Sequence, residues 1–255
     1  PPQPSSCSSS NTTAPSKRSH TGMIAYRERL NAPTGAETPQ GSPISPLLAN
    51  VALHVLDGAW QREGSRLGTL IRYADDYVVL CPSKERAEQA RDLSRRVLAG
   101  VGLQLHPDKT GIVHLARGGQ GFDFLGFHHR KVESWRRRGR FYLQRWPSAR
   151  AMRVLRDKIR AATVSSKTER PVSAVVADLN PVLRGWAAYF RNGNSGRKFN
   201  VVNGYVHERL AIFASRKHGL RGRNWTTRYN SGWLSRLGVY HLTGSVHGAT
   251  AHASR

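Results

Sequence analysis

The sequence predicts an α+β fold: short antiparallel strands with packed helices, followed by a mainly helical, strongly basic region. Three observations lead there. Between residues 38 and 127 the apolar residues switch between a spacing of four and strict alternation. After residue 128 helical spacing dominates. The charge divides at nearly the same place. Residues 1–125 carry 14 Lys+Arg against 11 Asp+Glu, a net of +3, whereas residues 126–255 carry 26 against 5, a net of +21. That asymmetry suggests a chemical module joined to a polyanion-binding module.

Residues 1–21 are rich in Pro, Ser and Thr and lack apolar periodicity, which predicts a disordered leader. Order is expected to begin near residue 38. In "TPQGSPISPLLANVALHVLD" a stiff Pro/Gly loop leads into a helix, with Ser45 as N-cap and Pro46 at the first helical position. Leu47, Val51 and Val55, beside Leu48 and Ala52, make its expected buried face. "IRYADDYVVL" (71–80) alternates apolar residues on either side of two acids, the pattern of two strands joined by a tight turn with Asp75 and Asp76 at the tip. Residues 83–101 read as an amphipathic helix capped by Ser83, with Ala90, Leu93, Val97 and Val101 as its stripe and Glu88–Arg91 and Asp92–Arg96 lacing its outer face. "LQLHPDKTGIVHL" (103–115) reads as strand, turn, strand, and "FDFLGF" (122–127) as a short strand pair.

Residues 128–147 interleave arginines with aromatic rings and are expected to form a basic linker. Met152, Leu155, Ile159 and Ala162 mark a helix whose other faces carry Arg150, Arg153, Arg156, Lys158 and Arg160. Residues 173–190 continue as a helix with a break or kink at Pro181. Residues 201–219 form another, ending in Arg216, Lys217, His218 and Gly219. The domain boundaries expected are therefore 22–127, 128–147 and 148–220, with 221–255 a basic tail.

Two cysteines far apart, Cys7 and Cys81, support neither a zinc module nor a disulfide framework. No apolar run approaches the ~20 residues of a membrane span, and no secretory h-region opens the chain. A cytoplasmic setting, of bacterial type, without a membrane partner is expected.

Adjacent carboxylates at a hairpin tip can hold hard divalent cations, and two such ions about 4 Å apart can assist phosphoryl transfer. Taken alone, Asp-Asp in a turn more often caps local backbone groups. Its company changes the weighting: "TPQGSPISPLLAN" lies upstream, "HPDKT" and "FLGF" downstream. In this order the series resembles the second half of the palm of a reverse transcriptase of the group II intron-encoded type. "LNPVLRGWAAYFRNGNSGRKFNVVNGYVHERLAIFASRKHG" (179–219) resembles the thumb/maturase (X) region of the same family.

The resemblance implies a partial polymerase palm followed by a helical thumb/maturase domain. It implies RNA-directed DNA polymerase activity with Mg2+ (or Mn2+), and partners that are a group II intron RNA and a DNA primer or target. Carried over by position, Asp75 and Asp76 are the catalytic, metal-binding carboxylates. Gln40, Gly41 and Lys109 contact template or nucleotide, and Leu125 and Gly126 shape the primer grip. Arg136, Arg137, Arg138 and Arg140, interleaved with Trp135, Phe141, Tyr142 and Trp146, suit phosphate contacts and base stacking. Arg153, Arg156 and Arg160 extend that basic surface. For Trp186, Tyr189 and Phe190, core packing is expected.

These polymerases use a third carboxylate upstream of the Pro-Gln-Gly loop. Here residues 1–56 hold only Glu28 and Glu37 as acids, and neither stands in a matching motif. The expectation is a chain lacking the upstream palm and fingers, polymerase-deficient alone, with room for another chain to supply them. Two other readings remain open: a non-catalytic RNA-binding protein that assists splicing, and a degenerate gene remnant.

Overall fold

The computed structural model describes residues 23–31, 45–106, 110–115, 119, 121–134, 136–224 and 227–242. It is α+β, with two small antiparallel sheets preceding a helical bundle. The expected leader and the last thirteen residues lie outside the described residues.

The first sheet is organised around β1 (Met23–Asn31) and β3 (Asp76–Cys81). β2 (Thr69–Tyr73) pairs with β3 in a tight hairpin, Tyr73 opposite Asp76. β3 pairs with β1, Arg29 opposite Asp76 and Ile24 opposite Cys81. β4 (Gln104–Leu105) and β5 (Gly111–Leu115) were expected to pair with each other. Instead both line up along the other edge of β1. The sequence reading began the ordered chain near residue 38 and missed β1. Its signal was the alternation of Ile24, Tyr26 and Leu30, interrupted by the charges of "RER".

β3 is buried on both faces. Tyr77, Val79 and Cys81 meet Leu56, Trp60, Ala87, Ala90 and Leu93 from α1 (Ser45–Ala59), the π turn Trp60–Gly64 that continues it, and α2 (Lys84–Ala99). Val78 turns the other way onto Leu115, Phe122 and Phe124. Each such side chain contributes about 1.5–3 kcal/mol on full burial, so this strand anchors the module. α1 starts at the expected Ser-Pro pair but buries a different face. Leu53, Leu56 and Ala59 point inward, while Leu47, Val51 and Val55 are exposed. Trp60 follows on the same buried face and donates from Nε1 to Gly68 O at 3.0 Å. Gly64 makes room for its ring, since a Cβ there would come within 2.5 Å of Trp60 Cδ2. Ser83 caps α2, accepting from Arg86 N. The outer face of α2 pairs Asp92 with Arg91 and Arg95, and Lys84 with Glu88, rather than in the expected combinations.

Residues 128–147 are not a linker. β6 (Phe122–Phe124), β7 (Phe127–Glu133) and β8 (Phe141–Pro147) form a second antiparallel sheet, and β7–β8 is a long ribbon paired from Phe127–Pro147 to Glu133–Phe141. Its arginines masked the alternation of Phe127, His129 and Lys131 with His128, Arg130 and Val132.

Ser148 caps α3 (Ala149–Ala162), which packs through Met152, Leu155 and Ile159 against α4 (Val172–Phe190) and α5 (Gly196–Lys217). Pro181 neither ends nor interrupts α4. α5 begins five residues earlier than expected. Residues 227–242, expected to be tail, pack back on the bundle through Tyr229, α6 (Ser231–Arg236) and Leu242. Two asparagines hold this segment by its backbone. Asn180 donates to Gly238 O at 2.9 Å and accepts from Tyr240 N at 2.8 Å. Asn203 donates to Leu242 O at 3.0 Å and accepts from Leu242 N at 2.9 Å. Truncating one partner strands a backbone group, at about 1–3 kcal/mol. Asn203→Ala is expected to lower stability by that amount in urea unfolding, and Asn180→Ala, at a less buried site, by less. The pair should be non-additive because both hold one segment.

Candidate active site and nucleic-acid surface

The β2–β3 register leaves a two-residue connection, Ala74 and Asp75, and makes Asp76 the first residue of β3. Ala74 has φ 52°, in the left-handed region, at a cost of roughly 1–2 kcal/mol for a residue with a Cβ. Arg72 holds the turn in that conformation. Its Nη1 donates to Ala74 O at 3.0 Å and to Asn50 Oδ1 at 2.9 Å. Its Nε donates to Asp57 Oδ1 at 3.0 Å, and Nη2 closes a bidentate pair with Asp57 Oδ2. The guanidinium is only partly exposed, so the pair is stronger than an ordinary surface bridge. The Asp57 carboxylate raises the Arg72 pKa above its already high value, mainly through this hydrogen bond. One arginine thus ties the acidic turn to α1.

Asp75 and Asp76 are half-buried and adjacent, as the sequence implied. Asp76 Oδ1 is buried and has no hydrogen-bond partner among the described residues. A buried, unpartnered carboxylate oxygen costs free energy unless a cation or donor reaches it. Two adjacent carboxylates, one with an unsatisfied oxygen, are oxygen donors of the kind that hard divalent cations take. Among the described residues no group of three or more His, Cys, Asp or Glu side chains gathers to hold a metal. The strand beside Asp76 presents Arg29 opposite it and Glu28 one step along, opposite Tyr77.

Leu125 and Gly126 form the two-residue turn between β6 and β7, with φ 48° and 75°. Two positive φ values mark a type I′ hairpin turn, in which leucine is strained. Tyr189 on α4 donates its hydroxyl to Leu125 O at 2.9 Å, and Ser148 N donates to Gly126 O at 2.8 Å. Tyr189 was expected in the core. It is 53% exposed, and its hydrogen bond is what the sequence reading missed. Nothing local to "WAAYF" signals it. Phe190 does pack in the core, and Trp186 packs against it with the rings tilted by 47°. Leu125, Ile71, Val78 and Tyr189 line a cavity of about 610 Å3 between the first sheet, the ribbon and α4.

Arg145 completes that junction. It donates from Nε and Nη2 to Asn192 O at 3.1 and 2.9 Å, and its carbonyl accepts from Asn194 N at 2.6 Å. Gly193 permits the approach, since a Cβ there would lie 2.6 Å from Arg145 O. His129 sits behind the Arg145 guanidinium, stacked on Phe122 at 5.0 Å. Burial, helped by Arg145 and His128, lowers its pKa to about 4.

Of the remaining expected residues, Arg136, Arg137, Arg138 and Arg140 cluster at the exposed ribbon tip, and Arg153 and Arg160 lie on the exposed face of α3. Arg160 pairs with Asp157. Arg156 is placed differently. It is half-buried over the Tyr205 ring at 5.6 Å, and its Nε has no partner among the described residues, because the α3 stripe turns it toward α5. Gln40, Gly41, Lys109 and Trp135 lie outside the described residues. Among the described residues, no helix is long and apolar enough to cross a membrane.

Replacing Arg72 by methionine removes the brace of the acidic turn and leaves Asp57 unpaired. A loss of about 2–4 kcal/mol in denaturant unfolding is expected, against under about 0.5 kcal/mol for Arg95→Ala on α2. For His129 the folded pKa is depressed. Its contribution is therefore whole above the unfolded value near pH 6.5 and is lost as pH falls toward about 4. The midpoint of thermal unfolding should fall more steeply over that window in the parent than in His129→Phe.

Residues 12–129 match the family described as reverse transcriptase (RNA-dependent DNA polymerase), and residues 152–230 match the group II intron maturase-specific domain. The chain is also similar to the Retron Ec86 reverse transcriptase of Escherichia coli, 39% identical over 75 residues. That stretch covers 29% of this chain and spans about a quarter, 23%, of the relative's length. The acidic hairpin and the type I′ turn both fall inside the first match, and α3, α4, α5 and the docked Tyr229 inside the second. A reverse transcriptase segment followed on one chain by a group II intron maturase-specific segment is the order found in the group II intron reverse transcriptase/maturases, which this chain resembles over both segments.

Proposed function

We propose that the chain is the nucleotidyl-transfer and RNA-binding portion of a group II intron reverse transcriptase/maturase, acting on intron RNA and a DNA primer or target in the cytoplasm. The observation that carries the catalytic part is the buried Oδ1 of Asp76, without a hydrogen-bond partner among the described residues, beside Asp75 on a turn braced by Arg72. Asp75 and Asp76 would hold Mg2+ or Mn2+, which when bound would lower the charge on phosphate oxygens and favour ionisation of an attacking hydroxyl. The protein's own part is positional. Arg72 fixes the direction of the two carboxylates, and Tyr189 and Ser148 fix the Leu125–Gly126 turn on which a primer end would rest. Gln40, Gly41 and Lys109 keep the template and nucleotide roles implied by the family.

Among the described residues only these two carboxylates gather at the turn, which supports weak metal binding and a chain that is polymerase-deficient by itself. Another chain could complete the metal site. The net of +21 after residue 125 favours a second reading, in which RNA binding that assists splicing is the chain's own activity. The two readings separate in one set of measurements. The purified chain is expected to bind RNA with an affinity that falls at least tenfold between 50 and 200 mM salt, and that survives Asp75→Ala. Its RNA-templated primer extension in Mg2+ should stay at background. Robust extension that disappears in Asp76→Ala would overturn the polymerase-deficient reading, and binding insensitive to salt would overturn the electrostatic one.

A further inference from the structure

The β7–β8 ribbon carries a feature that the acidic hairpin does not require. Its base is fixed: Phe127 packs on Phe190 at 4.8 Å, and Arg145 bonds to the Asn192 carbonyl. From there it runs six residues per strand, roughly 20 Å, to the Glu133–Phe141 pair. The tip is a built loop. Ser134 N donates to Arg140 O at 2.8 Å, Arg140 N to Arg137 O at 3.1 Å, and Gly139 N to Glu133 Oε1 at 2.6 Å. Gly139 takes φ 80°, which suits only glycine. Residues 136–140 are all exposed, and four of the five are arginine. Residues 127–147 hold seven Lys and Arg against one acid, Glu133, whose Oε1 is engaged in closing the loop. Close-set guanidinium groups on a rigid projection repel one another, a cost that a polyanion relieves. Next to the tip, Tyr142 leaves 46% of its surface exposed on β8.

We propose that this arginine tip is a dedicated grip for an unpaired segment of RNA, with phosphates held by Arg136, Arg137, Arg138 and Arg140 and one base stacked on Tyr142. The inference rests on the RNA-binding reading above and adds where the contact lies and what form of RNA it takes. The form follows from shape. The major groove of A-form RNA is too deep and narrow for a two-stranded ribbon, and its shallow minor groove offers no base face for stacking. A loop or single strand offers both phosphates and an open ring, and arginine meets phosphate bidentately.

The test uses the whole chain with two labelled probes: an RNA hairpin with an eight-nucleotide loop, and a blunt RNA duplex of the same length. Changing all four tip arginines to alanine is expected to lower hairpin affinity at least tenfold. It should also flatten the salt dependence by about 2–3 in log–log slope, near 0.7 for each phosphate released. Duplex affinity, carried by the exposed face of α3, should stay within about twofold. Tyr142→Ala is expected to weaken hairpin binding about tenfold with the slope unchanged. The four-lysine variant should keep the slope, which separates lost charge from lost fold, and each variant should keep the parent's thermal transition. Hairpin affinity within twofold of the parent in the four-alanine variant would overturn the proposal while leaving RNA binding standing. An equal loss for both probes would overturn the preference for unpaired RNA. A parent chain that binds neither probe would sink the proposal together with the reading it rests on.

Discussion

Burial of β3 on both faces is the constraint on which the rest of this structure depends. Tyr77, Val78, Val79 and Cys81 are each at most 2% exposed. A strand buried on two sides cannot slip by one residue, because every side chain would change faces. Its register is therefore fixed, and with it the position of the acids. Asp76 falls at the strand's first residue and Asp75 in the turn. The same alternation divides the module, sending Tyr77 and Val79 to α1 and α2 and Val78 to the ribbon side. The site geometry follows from packing, and Arg72 then supplies the local support that the strained Ala74 needs.

The second organising contact is the junction between ribbon and bundle. It combines the packing of Phe127 on Phe190 and Tyr189 with hydrogen bonds to backbone groups. Arg145 binds the Asn192 carbonyl, Gly193 allows the chain to approach, and Tyr189 reaches across to the Leu125 carbonyl. Hydrogen bonds to backbone are directional, so they fix an orientation where apolar contact alone would permit sliding. The half-buried His129 belongs to the same arrangement. Its pKa is low chiefly because burial disfavours the charged ring, with the nearby Arg145 charge adding to the effect. The type I′ turn of the first matched segment is thus held against α4 of the second.

Charge adds a third layer. The fold does not need the excess of basic residues after residue 125. The bundle core is apolar, and the described ion pairs there, Arg160–Asp157, Arg170–Asp178 and Arg223–Glu208, are all at the surface. Exposed pairs of this kind contribute little to stability. The exposed arginines of the ribbon tip and of one face of α3 are gathered there by tertiary placement.

The sequence by itself determined the α+β class, the acidic hairpin, the Ser83 cap, the helical register of α3 and the family. Each of these is written in local periodicity or in motifs whose order is visible along the chain. Only the tertiary structure decided that β1 is the central strand, that β4 and β5 both pair with it, that α1 buries Leu53 and Leu56 rather than Leu47 and Val51, and that residues 128–147 form a ribbon. It also turned Arg156 inward, freed Tyr189 for Leu125, and drew residues 227–242 onto the bundle through Asn180 and Asn203. The physical reason is common to all of them. Local pattern reports how a segment alternates, but which face it buries is set by partners distant in sequence. At α1 the partners are the side chains of β3 and α2 that Leu56 and Trp60 meet, and at the ribbon a stripe of arginines concealed an ordinary strand alternation.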